Sequence, residues 1–221
     1  MVRKSLILLS GLLCTSLTYG KINDKRVNWG LKATVDAELP TKWHGEHNDI
    51  KMFNNGVGFT IGAISNISIA KNFYFEPGIS FFLSQYRYDL IVADGKDNTE
   101  NPMLSKYGIE IPALFGYTID FNDLIGLRIF TGPQIRYAYA GKVGLNSKEQ
   151  KEENENLLLW DSNRRFDFSW KIGIGLPIQH FMISVEADFG ITNLYKKGAL
   201  TGHTNWNYRE NRVGAGIAYY F

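Results

Sequence analysis

The chain has 221 residues, 44% of them apolar and 14% aromatic, with 22 Gly and only 6 Pro. That length suits one domain, and the aromatic and glycine load suits strands and tight turns rather than helices. A formal net charge of +2 is too balanced to mark nucleic acid or an anionic surface as a partner.

Arg3 and Lys4 open the chain with positive charge, and Leu6 to Leu17 form an apolar run too short to cross a bilayer as a helix. Thr18-Tyr19-Gly20 then places small residues three and one before a cut at Lys21. Residues 1–20 are thus expected to be a signal peptide and residues 21–221 the mature domain. Cys14, the one cysteine, lies in the apolar run after Leu13. Leu13 is not the small residue a lipoprotein signal wants, which argues against a lipid anchor. A mature chain without cysteine has no disulfide, thiol nucleophile or Cys-ligated metal.

The first strand spans 27–39. Val27, Trp29, Leu31, Ala33, Val35, Ala37 and Leu39 alternate with Asn28, Gly30, Lys32, Thr34, Asp36 and Glu38. Period two means a strand with one apolar and one polar face. Residues 40–55 read as a polar loop. His44, Glu46, His47 and Asp49 in it offer metal-ligand chemistry, but their spacing suits no helix and lacks second-shell support, so a solvated loop is expected. Residues 52–70 carry no charge. Their asparagines, glycines and period of two oppose a transmembrane helix and make a second strand over 56–69.

After an Ala70-Lys71-Asn72 turn, the third strand puts Phe73, Phe75, Pro77, Ile79, Phe81 and Leu83 outward. Tyr74, Glu76, Gly78, Ser80 and Ser84 face inward. A long loop is expected from about Tyr88 to Lys106; its Asp94-x-x-Asp97 departs from EF-hand spacing. Residues 107–119 and 127–139 form a hairpin joined by Asp120 to Asp123, with Glu110, Arg128 and Arg136 inward. These strands are more than twice the average length of about five or six residues.

A charged loop over 141–163 follows. Ser147 with Gln150 reads as a capping box for a short helix, and Leu157 to Trp160 as an apolar cap on the rim. The sixth strand turns Arg165, Asp167, Ser169 and Lys171 inward, and the seventh Glu186 and Asp188. A loop from Leu194 to about Tyr208 leads to the eighth, with Arg212 inward and Val213, Ala215, Ile217, Tyr219 and Phe221 outward.

The predicted architecture is all-β: a single eight-stranded antiparallel up-and-down transmembrane β-barrel. Strands so long, apolar on one face, need no second layer in lipid, where closure satisfies every backbone group. In a bacterial barrel the termini and short turns are periplasmic and the long loops extracellular. A soluble barrel is the rival, with Trp29, Phe75, Phe115, Trp170 and Phe189 crowding its lumen and the basic side chains outside. Strand length and the aromatic C-terminus favour the membrane.

Tyr107-x-x-Glu110-Ile111-Pro112, Gly132-Pro133 and the terminal Tyr219-Tyr220-Phe221 together resemble the outer-membrane β-barrel domain family common among Bacteroidota porin-like proteins. The resemblance covers the chain from about Trp29 to Phe221. It implies a Gram-negative outer-membrane location and this fold, and brings no catalytic residue. Ile217-x-Tyr219-x-Phe221 resembles the C-terminal insertion signal of such proteins. That implies the barrel-assembly machinery as a partner, beside outer-membrane lipid and lipopolysaccharide.

The lumen is expected to hold Asp36, Glu38, Glu76, Glu110, Asp167, Glu186 and Asp188 against Lys32, Arg128, Arg136, Arg165, Lys171 and Arg212. An eight-stranded lumen has room only for side chains, and a buried charge must pair. A salt-bridged plug is therefore expected, with the loops left to meet an extracellular partner. A narrow ion or solute path is the alternative. A lipid-modifying enzyme is the third reading, weakened because His44, His47, His180 and His203 all fall in loops or turns. Only His203 with Thr201 or Thr204 approaches a catalytic set, and nothing orients it. No cofactor or metal site is expected; Gly56-x-Gly58 and Gly214-x-Gly216 lie in strands, not phosphate loops.

Overall fold

A computed structural model describes residues 26–40, 43–44, 49–50, 55–87, 103–121, 125–144, 163–194 and 209–221. Ten strands are described: β1 (Val27–Pro40), β2 (Trp43–His44), β3 (Asp49–Ile50), β4 (Gly56–Ser68) and β5 (Phe73–Arg87). The others are β6 (Met103–Asp120), β7 (Gly126–Gly144), β8 (Phe166–Ile178), β9 (Phe181–Gly190) and β10 (Glu210–Tyr220). Eight close a barrel in the order β1-β10-β9-β8-β7-β6-β5-β4, while β2 and β3 pair as a separate hairpin.

Every barrel neighbour is antiparallel. Closure comes from β1, which runs against β10 from Gly30↔Tyr220 to Pro40↔Glu210 and against β4 from Val27↔Ile67 to Glu38↔Gly56. At the end of the seam the Phe221 amide donates to the Trp29 carbonyl at 2.8 Å. With no edge strand left, the backbone donors and acceptors of the wall are paired within it.

Alternation decides the faces as expected. Trp29 and Phe81 are 64% and 62% exposed, and Ile61, Phe115, Ile172, Ile183 and Ile217 are exposed with them on the outer surface. A continuous apolar belt of this kind is foreign to a water-soluble monomer and suits lipid. The soluble barrel is excluded on the same ground: its apolar face would have to line the lumen.

The inner face is filled by aromatic rings laid over glycines of the next strand. Phe82 lies opposite Gly108, Tyr74 opposite Gly116 and Phe130 opposite Gly173. A Cβ at any of these three glycines would collide with the facing ring. The rings thus occupy space that only a missing side chain provides.

The short connections, 69–72, 121–125 and 179–180, lie at one end of the barrel; the long ones lie at the other. In the tightest of them Gln179 adopts φ 54°, the left-handed region that a two-residue hairpin turn demands.

The boundaries differ from expectation mainly at the long-loop end. Met103 to Lys106 belong to β6, β7 continues to Gly144, and β10 begins at Glu210. Here the wall extends past its apolar belt, so polar residues stand on both faces and the alternation that marks a strand fades. A register shift at Tyr107/Gly108 against β7 marks the same level. The expected helix near 147–159 and the Leu157–Trp160 patch lie outside the described residues.

Ile172 sits at the middle of β8 on the outer face. Ile172→Arg is expected to cost about 2–4 kcal/mol, the penalty of a cation at the bilayer midplane. Reversible urea unfolding in lipid vesicles measures it, with Ile172→Val as the near-silent control.

Candidate functional site: the charged lumen

Twelve of the expected lumen charges do point inward, and they form a connected network. Glu110 on β6 stands at its centre. Its carboxylate lies 3.3 Å from Arg136 Nε, 3.8 Å from Lys171 Nζ and 3.6 Å from Arg212 Nη1. Lys171 extends the network to Glu186 at 2.9 Å and Asp188 at 3.6 Å. Lys32 closes on Glu186 from β1, and Arg212 Nε approaches Asp188 at 3.5 Å. Glu186 is further held by Ser184, whose hydroxyl donates at 2.7 Å. The shared carboxylates let Arg136, Lys171 and Arg212 each face two or more acceptors, which is how charges persist where water is scarce.

Above this centre, toward the long-loop end, Glu38 is fully buried. It accepts hydrogen bonds from the hydroxyls of Ser84 (2.5 Å) and Tyr86 (2.9 Å), and Arg136 Nη1 stands 3.9 Å away. The Arg136 guanidinium lies 3.7 Å from the Phe82 ring centroid and donates to Ser84 Oγ at 3.0 Å.

Below the centre, toward the short turns, the lumen is closed by aromatic packing. Arg128, with no exposed surface, lies over the Tyr74 ring at 4.6 Å and the Tyr220 ring at 5.5 Å. Its Nη1 is 3.9 Å from Glu76, which accepts from the Tyr220 hydroxyl at 2.8 Å and from Asn66 at 3.4 Å. Tyr74, Leu114 and Phe130 pack as one apolar cluster, and Ile64, Met182, Ala218 and Tyr220 as another.

Two lumen charges escaped the sequence reading. Lys106 and Glu210 are both buried and form an ion pair across the barrel. Lys106 falls in the expected 88–106 loop and Glu210 before the expected eighth strand, because β6 and β10 begin earlier than the apolar alternation does. Strict alternation carried back from Gly108 and Arg212 would have turned both inward. Arg165 is a correction in the other direction. It precedes β8, is exposed, and its Nη1 contacts the Tyr139 carbonyl at 3.5 Å at the rim. The described lumen therefore holds eight carboxylates (the seven expected and Glu210) against six cations, Lys106 replacing Arg165. Asp36 and Asp167 are the two carboxylates without an ion pair. Asp36 accepts from Thr34 Oγ1 at 3.3 Å, whereas both oxygens of Asp167 lack a hydrogen-bond donor.

Among the described residues, two small cavities lie inside the wall. One lies between Lys32, Glu76, Ser80, Glu110, Leu114 and Lys171. The other opens at the long-loop end between Lys106, Arg136, Arg164, Arg165, Asp167 and Glu210.

Ile217 and Phe221 of the expected insertion signal are exposed on the outer face with Tyr219 half-buried between them. The Tyr219 ring stands 5.3 Å from Phe221 and 5.0 Å from Phe181. His180, at the short-turn end, has Nδ1 3.0 Å from the Tyr220 carbonyl. His44 and Asp49 are register partners in the β2–β3 pair; Glu46, His47, Asp94, Asp97, Thr201, His203 and Thr204 lie outside the described residues. Among the described residues no three metal-ligating side chains come together.

A family model described as "Outer membrane protein beta-barrel domain" matches residues 16–196. No curated protein sequence matches the chain. Among solved structures, the outer membrane protein OprG from Pseudomonas aeruginosa is similar at 10% identity and a TM-score of 0.49, covering 91% of this chain and 99% of its own. Ail of Yersinia pestis, solved in complex with the heparin analogue sucrose octasulfate, has 12% identity, a TM-score of 0.40 and coverage of 89% and 100%. Neisserial surface protein A has 12% identity, a TM-score of 0.40 and coverage of 87% and 97%.

Glu110→Ala removes a carboxylate that three buried cations share. It is expected to cost about 3–5 kcal/mol, the range for leaving buried charge uncompensated. Urea unfolding in micelles measures the loss, and Arg165→Ala at the rim should shift the midpoint little.

Proposed function

This chain belongs to the outer membrane protein β-barrel domain family, and from that premise we propose a surface-interaction role carried by its long loops. The protein is an integral outer-membrane β-barrel with a charge-filled lumen. The observation that carries the proposal is the state of that lumen. Glu110 joins Arg136, Lys171 and Arg212 at mid-height, and the Arg128–Glu76–Tyr220 group packs the short-turn end. A solute crossing the barrel would have to part both layers. The loops that follow β1, β5, β7 and β9 are the long ones, and in a bacterial barrel they face outward. In this reading they meet lipopolysaccharide and an extracellular partner, while lipid covers the belt.

Export is part of the same proposal. Residues 1–20 direct the chain across the inner membrane and are removed, and the barrel-assembly machinery then takes the outward Ile217-x-Tyr219-x-Phe221 face. Intact mass of protein from purified outer membranes should correspond to a chain starting at Lys21. A mass retaining residues 1–20 overturns the cleavage.

Catalysis has no place in this reading. His180 is bound to the Tyr220 carbonyl at the short-turn end, far from the face where an outer-leaflet substrate would lie.

A second reading, a small-solute channel, draws on the two cavities, each lined in part by charged side chains, at different heights of the lumen. Planar-bilayer recording of refolded mature protein, with a heat-dependent gel shift proving the barrel, separates the two. The plugged barrel predicts no reproducible open steps. Steps that change size or frequency in Arg136→Ala identify the lumen as a path and overturn the plug.

A further inference from the structure

The cavity at the long-loop end contains a chemical imbalance that the surface role does not use. Asp167 is only 5% exposed, and neither of its carboxylate oxygens has a hydrogen-bond donor. Its cross-strand neighbour is Arg136, the obvious partner, yet that guanidinium turns away. It lies against Phe82 and points its nitrogens at Glu38, Ser84 and Glu110. Lys106, the other buried cation of the cavity, is taken by Glu210. An ionised carboxylate left so in a protein interior is costly unless a donor reaches it.

The same cavity has a basic rim: Arg164 and Arg165, which precede Asp167 on the way into β8, line it and are exposed. A bare metal cation would satisfy Asp167 but meet four cationic side chains. An inorganic anion would suit Arg164 and leave Asp167 still without a donor. A ligand with one group of each sign satisfies both. An ammonium supplies three donors to the carboxylate, and a carboxylate or phosphate accepts the planar fork of a guanidinium.

We propose that this cavity is a binding site for a small zwitterion, its ammonium held by Asp167 and its anionic group by Arg164. Two sources carry that chemistry: a free amino acid, and the phosphoethanolamine headgroup of a lipid.

Isothermal titration of the refolded mature chain in micelles tests it, with glycine and O-phosphoethanolamine as probes and methylamine and acetate as single-charge controls. At least one zwitterion should bind at least tenfold more tightly than either control. Asp167→Asn and Arg164→Gln should each weaken that binding at least tenfold. Glycine as the tighter ligand supports a free solute; O-phosphoethanolamine as the tighter supports a headgroup. Neither zwitterion binding, methylamine binding as tightly as the zwitterions, or Asp167→Asn binding unchanged overturns the site. Asp167 has no partner to lose, so its variant should keep the heat-dependent gel shift. If it does not fold, the exposed Arg164→Gln decides alone, and undiminished binding there overturns the proposal.

Discussion

A backbone N–H or C=O facing hydrocarbon has no water to fall back on, and each unpaired group costs several kcal/mol, on the order of what a small domain's whole stability allows. Everything else in this barrel follows from that constraint. The first strand must meet the last, as it does between Gly30 and Tyr220, and the alternation of side chains must send every second residue into lipid. Closing with eight strands leaves a lumen wide enough for side chains and little more. The inner face consequently has to pack like a protein core although its residues are polar.

Two devices meet that requirement. Rings and glycines interlock across neighbouring strands, so Phe82, Tyr74 and Phe130 lie flat where Gly108, Gly116 and Gly173 leave space. Charges are shared rather than paired one to one. Glu110 faces three cations, and Lys171 faces three carboxylates. Sharing lets the network stay connected through the middle of the barrel even though carboxylates outnumber cations among the described lumen residues. The surplus is placed unevenly. Asp36 is answered by a threonine hydroxyl inside, while Asp167 sits without a donor in the cavity nearest the long loops. An unanswered charge at the mouth, rather than in the centre, is where an incoming molecule meets it first.

Much of this was legible in the chain. The strict alternation around Trp29, Phe81, Glu110 and Arg136 named both faces, because a strand's two faces are set by residue parity alone. Lys106 and Glu210 were missed because β6 and β10 rise beyond the apolar belt, where outward residues such as Ser105 and Asn211 no longer contrast with inward ones. Arg165 differs for the complementary reason: its parity is right for the inner face of β8, but the strand starts one residue later.

Local pattern by itself therefore determined the strands, their faces, the number that close the barrel and nearly all of the charges inside it. Only the tertiary structure decided which charges meet. That choice depends on the register between strands and on how far each long side chain reaches across the lumen, neither of which leaves a trace in local sequence. Arg136 stands beside Asp167 in the sheet and yet turns to Glu38 and Glu110. Phe82 offers its ring there, and Ser84 offers an acceptor. The lone carboxylate that results is a property of three-dimensional neighbours, and no periodicity could have announced it.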